Sequence, residues 1–271
     1  MKSMIKIDHT FLIVMKPNEM LPINNTILKL LLFTLFFCTS CGIGKIQNEV
    51  KEGPIVVDNN GIAGNTTLDL LNRVDADVLG KKSDLVILMV GTNDMLNSNK
   101  FVSYRDYEAN LTQIVRKIKK HGTEVLLMSS PTVDSVYLFG RHDKTLFEED
   151  PNIKLQNAKN IVAQVAKENN TLYLDVNSVF SKGGLPVHNQ DDYIINEKNS
   201  NKKDGVHLTS LGYKFIAKIV FQYLVENNLQ VRYKSIVCFG DSLTKGSGAK
   251  GAGTITGENY PSFLNQMLNE I

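Results

Sequence analysis

Four short stretches of this sequence carry side chains suited to nucleophilic chemistry. Ser242 lies in SIVCFGDSLTKG, and Asp204 and His207 lie three positions apart in DGVHL. Gly64 lies in GIAGN, and Asn93 lies in GTND. A hydroxyl nucleophile, a histidine beside a carboxylate, and amide donors for an oxyanion are the groups that acyl transfer requires. Because Gly, Asp, Asn and Ser also favour ordinary turns, each stretch alone has a bland explanation, and only their joint occurrence points to catalysis.

The joint pattern of FGDSLTKG, GIAGN, GTND and DGVH resembles the motif set of the SGNH (GDSL) hydrolase family. The resemblance implies an α/β fold, a flavodoxin-like three-layer αβα sandwich whose mainly parallel sheet carries the catalytic loops at one edge. It also implies that Ser242 attacks an ester or thioester carbonyl, that His207 takes the serine proton and that Asp204 orients His207. The oxyanion hole would consist of the backbone amides of Ser242 and Gly64 and the side-chain amide of Asn93.

The order of the blocks departs from that family, which places its serine block first. Here the serine block follows the other three, so the resemblance, which extends over roughly residues 53 to 271, predicts a circular permutation. The helix from Ser210 to about Asn227 would connect to the serine strand through roughly eight residues, an ordinary length. A further helix, beginning at Tyr260, would bring the chain back to the start of the strand at Ile55. Both new chain ends would then lie opposite the catalytic edge.

Strands and helices alternate along the chain, which supports the α/β class. Predicted strands cover Ile55 to Val57, Leu85 to Val90, Glu124 to Met128, Leu172 to Val176 and Ile236 to Phe239, and predicted helices include Tyr107 to Lys120 and Ala158 to Glu168. The helix from Ser210 would pack on the sheet through Leu211, Phe215, Ile219 and Leu224, and the last helix through Phe263, Leu264, Met267, Leu268 and Ile271. Asp94 and Asp241 are predicted to hold turns by accepting hydrogen bonds from backbone amides.

Composition favours one soluble domain. The chain has 271 residues, is 42% hydrophobic and has a formal net charge of +2, so it has no electrostatic attraction to nucleic acid. The histidines show no metal-ligand spacing, and we predict no metal site. Gly246, Gly248 and Gly251 match G-x-G-x-x-G, but they do not directly follow a strand, so dinucleotide binding is not expected and no cofactor is predicted.

The N-terminal segment is predicted to direct export. Ile27 to Phe37 is almost wholly apolar and leads to Cys41, so residues 1 to 41 resemble a bacterial lipoprotein signal with lipid attached to Cys41. Cys38 lies three residues before Cys41, at a position where such signals usually have an aliphatic residue. Residues 42 to 53 would form a tether and residues 54 to 271 the hydrolase domain, anchored to a membrane of the bacterial cell envelope. Cys38 and Cys41 also form C-x-x-C, but a redox pair belongs at the start of a helix in a folded βαβ unit.

The substrate is a small-molecule, lipid or glycan ester by resemblance. Within the family, the lysophospholipase and acyl thioesterase type comes first and carbohydrate acetyl esterase second. Substrate selection should come from loops over the catalytic edge, including Pro131 to Pro151 and Ser181 to Lys203. Permuted order can also arise from a truncated tandem duplication, which leaves open a non-catalytic surface lipoprotein. A swapped dimer, in which the serine segment completes a neighbour's site, remains another alternative, and the oligomeric state is open.

Overall fold

A five-stranded parallel sheet forms the centre of the computed structural model, which describes residues 53–270. Every pair of neighbouring strands is parallel, and the spatial order is β1-β5-β2-β3-β4. The carboxyl ends of all strands therefore meet at one edge of the sheet. The strands are β1 (Val56–Gly61), β2 (Leu85–Met89), β3 (Glu124–Met128), β4 (Leu172–Leu174) and β5 (Ser235–Gly240).

Helices cover both faces of this sheet and complete a three-layer α/β sandwich, as the fold-class prediction requires. The described helices are α1 (Thr67–Asp77), α2 (Thr92–Leu96), α3 (Tyr104–Lys120), α4 (Ser135–Leu138), α5 (Pro151–Glu168), α6 (Val176–Lys182), α7 (Glu197–Ser200), α8 (Ser210–Glu226), α9 (Ser242–Lys245) and α10 (Tyr260–Asn269). Helices α1, α3 and α5 pack into one core, and α6, α8 and α10 pack into the other.

The two cores divide each strand by its alternating side chains. In β2, Leu85, Ile87 and Met89 enter the core beneath α8, whereas Val86 and Leu88 enter the core beneath α3. All five residues are buried, because a central parallel strand is covered on both faces. The continuous apolar run that predicted this strand is the sequence signature of such double burial.

The serine strand β5 lies between β1 and β2, although it follows every other strand in the chain. Its register pairs Val56 with Ser235 on one side and Leu85 with Ile236 on the other. If β5 is counted as the first strand, the spatial order becomes 2-1-3-4-5, which is the flavodoxin-like order of doubly wound sheets.

Two contacts fix the end of the sheet that lies opposite the strand carboxyl ends. The Asn269 side chain, in the last turn of α10, accepts a hydrogen bond from the Ile55 amide at 3.0 Å and donates one to the Ile55 carbonyl at 2.9 Å. Asp84, before β2, accepts hydrogen bonds from the amides of Lys234 and Ser235 at 2.8 and 3.0 Å. The start of β5 and the end of α10 thus lie at the same end of the sheet, where the sequence predicted them.

The predicted face of α8 holds in part. Leu224 is buried and Phe215 packs against the core, as predicted, but Leu211 is 50% exposed, and the buried face also includes Gly212, Tyr213, Ile216, Ala217 and Val220. Because α8 is apolar on several sides, its sequence offers two stripes at helical spacing, and tertiary packing selects one. The predicted face of α10 holds in part, since Leu264 and Leu268 are buried and Phe263 and Met267 pack against the core, whereas Ile271 lies outside the described residues.

Element boundaries differ from the prediction where polar residues flank the apolar runs. Strand β1 extends through Asn59 and Asn60, which the sheet tolerates because β1 is an edge strand. Helix α5 begins at Pro151, seven residues before its predicted start, with Asp150 as N-cap. Residues 1–52 lie outside the described residues, and with them the predicted signal, Cys41 and the predicted tether up to Glu52. Within residues 53–270, no helix combines the length and hydrophobicity that crossing a bilayer requires.

Candidate active site

Ser242, His207, Gly64 and Asn93 line one cavity at the carboxyl edge of the sheet, and Asp204 is connected to it through its contact with His207. The cavity, of about 260 Å³, lies where β5 and β2 end, which is the point at which the strand order reverses. Ligands of open α/β sheets bind at such a point, because the loops of the two strands diverge there. The lining residues are Ala63, Gly64, Thr92, Asn93, Leu96, Asn97, Leu138, Arg141, His142, Val206, His207, Ser242 and Ser247.

Ser242 is positioned by a sharp turn from β5 into α9. Gly240 ends the strand, and a Cβ there would collide with the carbonyl of Met89 and the hydroxyl of Thr244, so only glycine fits. Asp241 is the N-cap of α9 and accepts a hydrogen bond from the Leu243 amide at 2.8 Å. Ser242 is only 5% exposed, and its hydroxyl makes no hydrogen bond to any other residue of 53–270. The hydroxyl is held at the cavity wall without a competing partner.

Asp204 and His207 form the pair that their spacing predicted. The Nδ1 atom of His207 lies 2.9 Å from Asp204 Oδ2, while Asp204 Oδ1 accepts hydrogen bonds from the amides of Val206 and His207 at 2.9 and 2.7 Å. Burial would raise the pKa of Asp204, but the hydrogen bonds and charge of His207, with Arg141 at 3.6 Å, hold it well below its usual range. An ionised carboxylate only accepts, so Nδ1 carries the proton and Nε2 is left to accept one.

The three predicted oxyanion donors line the same cavity and differ in whether their N–H groups already have hydrogen-bond partners. Gly64 has φ of 79°, its carbonyl accepts from Lys100 Nζ at 3.0 Å, and its amide donates to no other described residue. The Ser242 amide begins a helix, where the first N–H groups lack intrahelical partners. The Asn93 side-chain amide donates to the Asn65 carbonyl at 3.0 Å and weakly to Asp241 at 3.5 Å. One Asn93 hydrogen is therefore committed to the loop, and the other is loosely held.

Asp94 and Asp241 have the structural roles that the sequence predicted. Asp94 accepts hydrogen bonds from the Thr67 amide at 2.9 Å and its hydroxyl at 2.5 Å, which ties the GTND turn to the start of α1. Burial raises the pKa of Asp94. Burial, with the nearby charge of Asp94, also raises the pKa of Asp241 to about 7. Each carboxyl thus accepts hydrogen bonds from the backbone, although its burial away from water disfavours the ionised form.

Arg73 links the loops around Ser242, a role that no motif predicted. Its Nη2 atom donates to the carbonyl of Gly240 at 2.8 Å, and its Nε atom donates to Asn65 Oδ1 at 2.7 Å. Both terminal nitrogens also reach the carbonyl of Asn60 at 3.1 Å, and the guanidinium stacks on Phe239 at 4.4 Å from the ring centroid. One side chain from α1 therefore fixes the ends of β1 and β5 relative to the GIAGN loop.

Arg141 and His142 also line the cavity, and sequence reasoning did not single them out. Both follow α4 in the segment that the sequence predicted only as part of a long loop, Pro131 to Pro151, over the catalytic edge. The Nδ1 atom of His142 contacts Ser98, with distances of 3.1 Å to Oγ and 3.4 Å to the amide nitrogen. The only available signal was the position of the loop, since neither residue belongs to a motif.

The remaining sequence features fall outside this chemistry. Cys238 is a free cysteine within β5, fully buried, and burial raises the pKa of its thiol to about 12. Across residues 53–270, no three His, Cys, Asp or Glu side chains form a group that could hold a metal ion.

Comparisons with known proteins identify relatives of most of the domain. The model of the GDSL-like lipase/acylhydrolase family matches residues 45–215, a region that contains Gly64, Asn93, Asp204 and His207 but not Ser242. An acetylxylan esterase from Geobacillus stearothermophilus is 31% identical over 148 residues, covering 52% of this chain and 63% of the relative. An uncharacterized lipoprotein, YqeF, from Bacillus subtilis is 29% identical over 112 residues, covering 38% and 46%. The chain thus spans less than two thirds of each curated relative.

Two solved structures are also similar. A lipase/acylhydrolase from Enterococcus faecalis has a TM-score of 0.47 at 20% identity, over 60% of this chain and 72% of that one. An acetyl-xylooligosaccharide esterase from Geobacillus has a TM-score of 0.47 at 24% identity, over 60% of this chain and 68% of that one.

Proposed function

The chain belongs to the GDSL-like lipase/acylhydrolase family, and from that membership we propose that it is an esterase that cleaves carboxylic esters through an acyl-enzyme on Ser242. One observation carries the proposal: Ser242, the base His207 and the donors Gly64 and Asn93 line the same cavity, although Ser242 lies outside the region that matches the family model. A non-catalytic descendant has no reason to keep this set of side chains together.

In the proposed reaction, His207 Nε2 takes the proton of the Ser242 hydroxyl as Oγ attacks the ester carbonyl carbon. The amides of Ser242 and Gly64 and the loosely held Asn93 hydrogen stabilise the oxyanion, and each donor typically contributes about 10² to 10³ in rate. Collapse of the tetrahedral intermediate expels the alcohol, which takes the proton from His207. Water, activated by the same histidine, then releases the acid and restores Ser242. Asp204 stays ionised throughout.

A short acyl group on a carbohydrate fits the cavity better than a lysophospholipid. Only Ala63, Leu96, Leu138 and Val206 present apolar side chains, and the other walls are mostly polar or charged. A long acyl chain needs a continuous apolar channel to gain free energy on binding, whereas an acetyl group has only one methyl group to bury. The acetylxylan esterase relative supports the same choice. We therefore place carbohydrate acetyl esterase ahead of the lysophospholipase and thioesterase type.

We also propose that the block order is a circular permutation within one chain. The 2-1-3-4-5 order obtained by counting β5 first supports it, as does the contact between Asn269 and Ile55, the two positions that would be joined in a serine-first chain. Ser242 and His207 line the same cavity of one chain, which supports assembly of the site without a swapped dimer.

Attachment to the cell envelope through a lipid on Cys41 remains our proposal for localisation. The similarity to a lipoprotein supports it. Metabolic labelling with a palmitate analogue, followed by membrane fractionation, tests it: wild type should be labelled and sediment with membranes, and Cys41→Ala should be unlabelled. Label on the Cys41→Ala protein would contradict lipidation at that residue.

The proposed activity is tested with Ser242→Ala and a matched control, Ser181→Ala, an exposed serine of α6 outside the cavity. Hydrolysis of p-nitrophenyl acetate should fall at least about 10³-fold in Ser242→Ala and stay unchanged in Ser181→Ala. A fluorophosphonate probe should label wild type and Ser181→Ala only.

Substrate choice is tested on the same enzyme by comparing acetylated xylooligosaccharides with a lysophospholipid. We expect release of acetate and little release of fatty acid. A folded wild-type protein that neither reacts with the probe nor hydrolyses either ester would support the binding-module alternative instead.

A further inference from the structure

His142 presents an unused hydrogen-bond donor to the catalytic cavity. Its Nδ1 atom is approached by the Ser98 backbone amide at 3.4 Å and by the Ser98 hydroxyl at 3.1 Å. A backbone N–H only donates, so Nδ1 must be the acceptor of this pair, and the proton of the neutral ring must lie on Nε2. Nε2 has no hydrogen-bond partner within the described part of the chain, and the ring lines the cavity.

The ring is also held in its neutral form. Burial lowers the pKa of His142, and the adjacent charge of Arg141 lowers it further. Protonation would place a second N–H on Nδ1, directed at the Ser98 amide, and would break that contact. His142 is therefore unsuited to proton transfer at neutral pH, and it has instead the properties of a fixed donor.

Arg141 connects the segment that carries this donor to the catalytic pair. Its guanidinium lies 3.6 Å from Asp204 Oδ2, the carboxylate oxygen that also binds His207. The segment of Arg141 and His142 therefore contacts the Asp204–His207 pair through Arg141 and the loop after α2 through His142, and both residues line the cavity together with His207. Because His207 protonates the departing alcohol, the alcohol part of the ester must lie beside His207.

We propose that His142 is a specificity-determining residue, whose Nε2 hydrogen binds a hydroxyl or ring oxygen of the sugar that carries the ester; this inference rests on the proposed esterase function. A sugar offers such acceptors beside every acetyl group. A simple aryl or alkyl alcohol carries no hydroxyl or ring oxygen next to its ester. His142 therefore lowers the KM for carbohydrate acetates and leaves activated acetates unaffected.

The test uses the full chain and two substrates, an acetylated xylooligosaccharide and p-nitrophenyl acetate. His142→Phe keeps a ring and removes the donor, and His142→Gln restores an amide hydrogen near the position of Nε2. His121→Phe, an exposed residue at the end of α3, is the matched control. For His142→Phe we expect the KM for the oligosaccharide to rise about 3- to 10-fold with kcat within about 2-fold, as for one neutral hydrogen bond. His142→Gln should recover part of the loss, and His121→Phe should match wild type.

The kinetics of p-nitrophenyl acetate separate the possible failures. They should be the same in all variants, and thermal unfolding should confirm that each variant is folded. An equal loss of kcat on both substrates would place His142 at the reacting atoms and overturn the proposal, and so would unchanged kinetics on both. Wild type active on p-nitrophenyl acetate but inactive on the oligosaccharide would also overturn it, whereas wild type inactive on both would overturn the esterase function itself.

Discussion

Asp204 divides two tasks between its two oxygens. Oδ1 accepts the amides of Val206 and His207 and so shapes the turn, while Oδ2 accepts the imidazole proton of His207. Because the turn and the ring orientation depend on one carboxylate, the three-residue spacing fixes the imidazole of His207 relative to its own loop. For that reason, the sequence alone predicted that Asp204 and His207 form a pair.

Asp204→Asn separates these tasks. The amide oxygen can still accept from the turn, but the amide nitrogen would face the ring nitrogen, and the required tautomer would lose its support. We expect kcat on p-nitrophenyl acetate to fall about 10³- to 10⁴-fold with KM within a few-fold. A variant with more than a tenth of wild-type kcat would show that Asp204 does not orient the base.

Asp241 predicts an unusual dependence of stability on pH. Its pKa is raised to about 7, mainly by burial, above an unfolded value of about 3.9. Between these values the folded state keeps a proton that the unfolded state has lost, so this stabilising contribution is present at low pH and lost as the pH rises through 7. The neutral Asp241→Asn side chain can still accept from the Leu243 amide and does not titrate.

The free energy of unfolding in urea should therefore rise in Asp241→Asn relative to wild type when the pH changes from 5 to 8. The control is Asp192→Asn, which removes a carboxyl from an exposed position. A pH-independent difference for Asp241→Asn would show that the carboxyl is ionised in the folded protein across this range.

At the scale of elements, α1 does more than cover the sheet. The acidic capping box at Thr66 and Asp69 starts it beside the GIAGN loop, and Arg73, one turn later, reaches the carbonyls at the ends of β1 and β5. The guanidinium fork allows several carbonyls to be bound at once, which a single ammonium group does not. Helix α1 thus helps to position Ser242, because its Arg73 binds the carbonyl of Gly240, two residues before Ser242.

Arg73→Lys should keep the positive charge but remove the planar guanidinium that binds several carbonyl oxygens at once. We expect kcat on p-nitrophenyl acetate to fall about 10-fold or more, because small displacements of catalytic groups are costly, together with a lower melting temperature. Arg105→Lys, on the exposed side of α3, is the matched control and should change neither. Loss of stability with unchanged kcat would make Arg73 a purely structural residue.

What the sequence could predict at these two scales depended on whether the interaction is local. Ser242, Asp204 and His207 lie in turns that short motifs encode, and the buried strands follow from apolar runs. Arg73 and His142 act through carbonyls and a serine that are distant along the chain, so no local pattern marks them. The exposed Leu211 shows the same limit, since the face of an evenly apolar helix is decided by its neighbours.

At the scale of the whole molecule, the proposed permutation changes the order of the elements along the chain and leaves the geometry of the site unchanged. The carboxyl edge holds the chemistry, and the opposite end holds both the contact of Asn269 with Ile55 and the turn that leads from α8 to β5. A protein in which the catalytic edge is far from the chain ends tolerates a change of ends.

A rearranged chain tests this separation. It would run from Leu229 to Glu270, through a short Gly/Ser linker, and then from Ile55 to Asn228, which restores the serine-first order. We expect a folded protein whose kcat/KM on p-nitrophenyl acetate lies within about 10-fold of wild type, because the cavity is unchanged. A soluble, folded but inactive product would show that the native connections contribute to the site. The control is the same rearrangement carrying Ser242→Ala.

The place of β5 in the sheet also bears on the order of events during synthesis. Strand β1 pairs with β5 alone, and β2 meets β5 on one side, yet β5 leaves the ribosome after every other strand. Until it emerges, β1 has no partner strand and the sheet cannot close, so folding depends on contacts between residues far apart in the chain, which form slowly. A nascent chain therefore has neither a nucleophile nor a finished core. Insertion of β5 would therefore complete the sheet and bring Ser242 to the cavity in a single step.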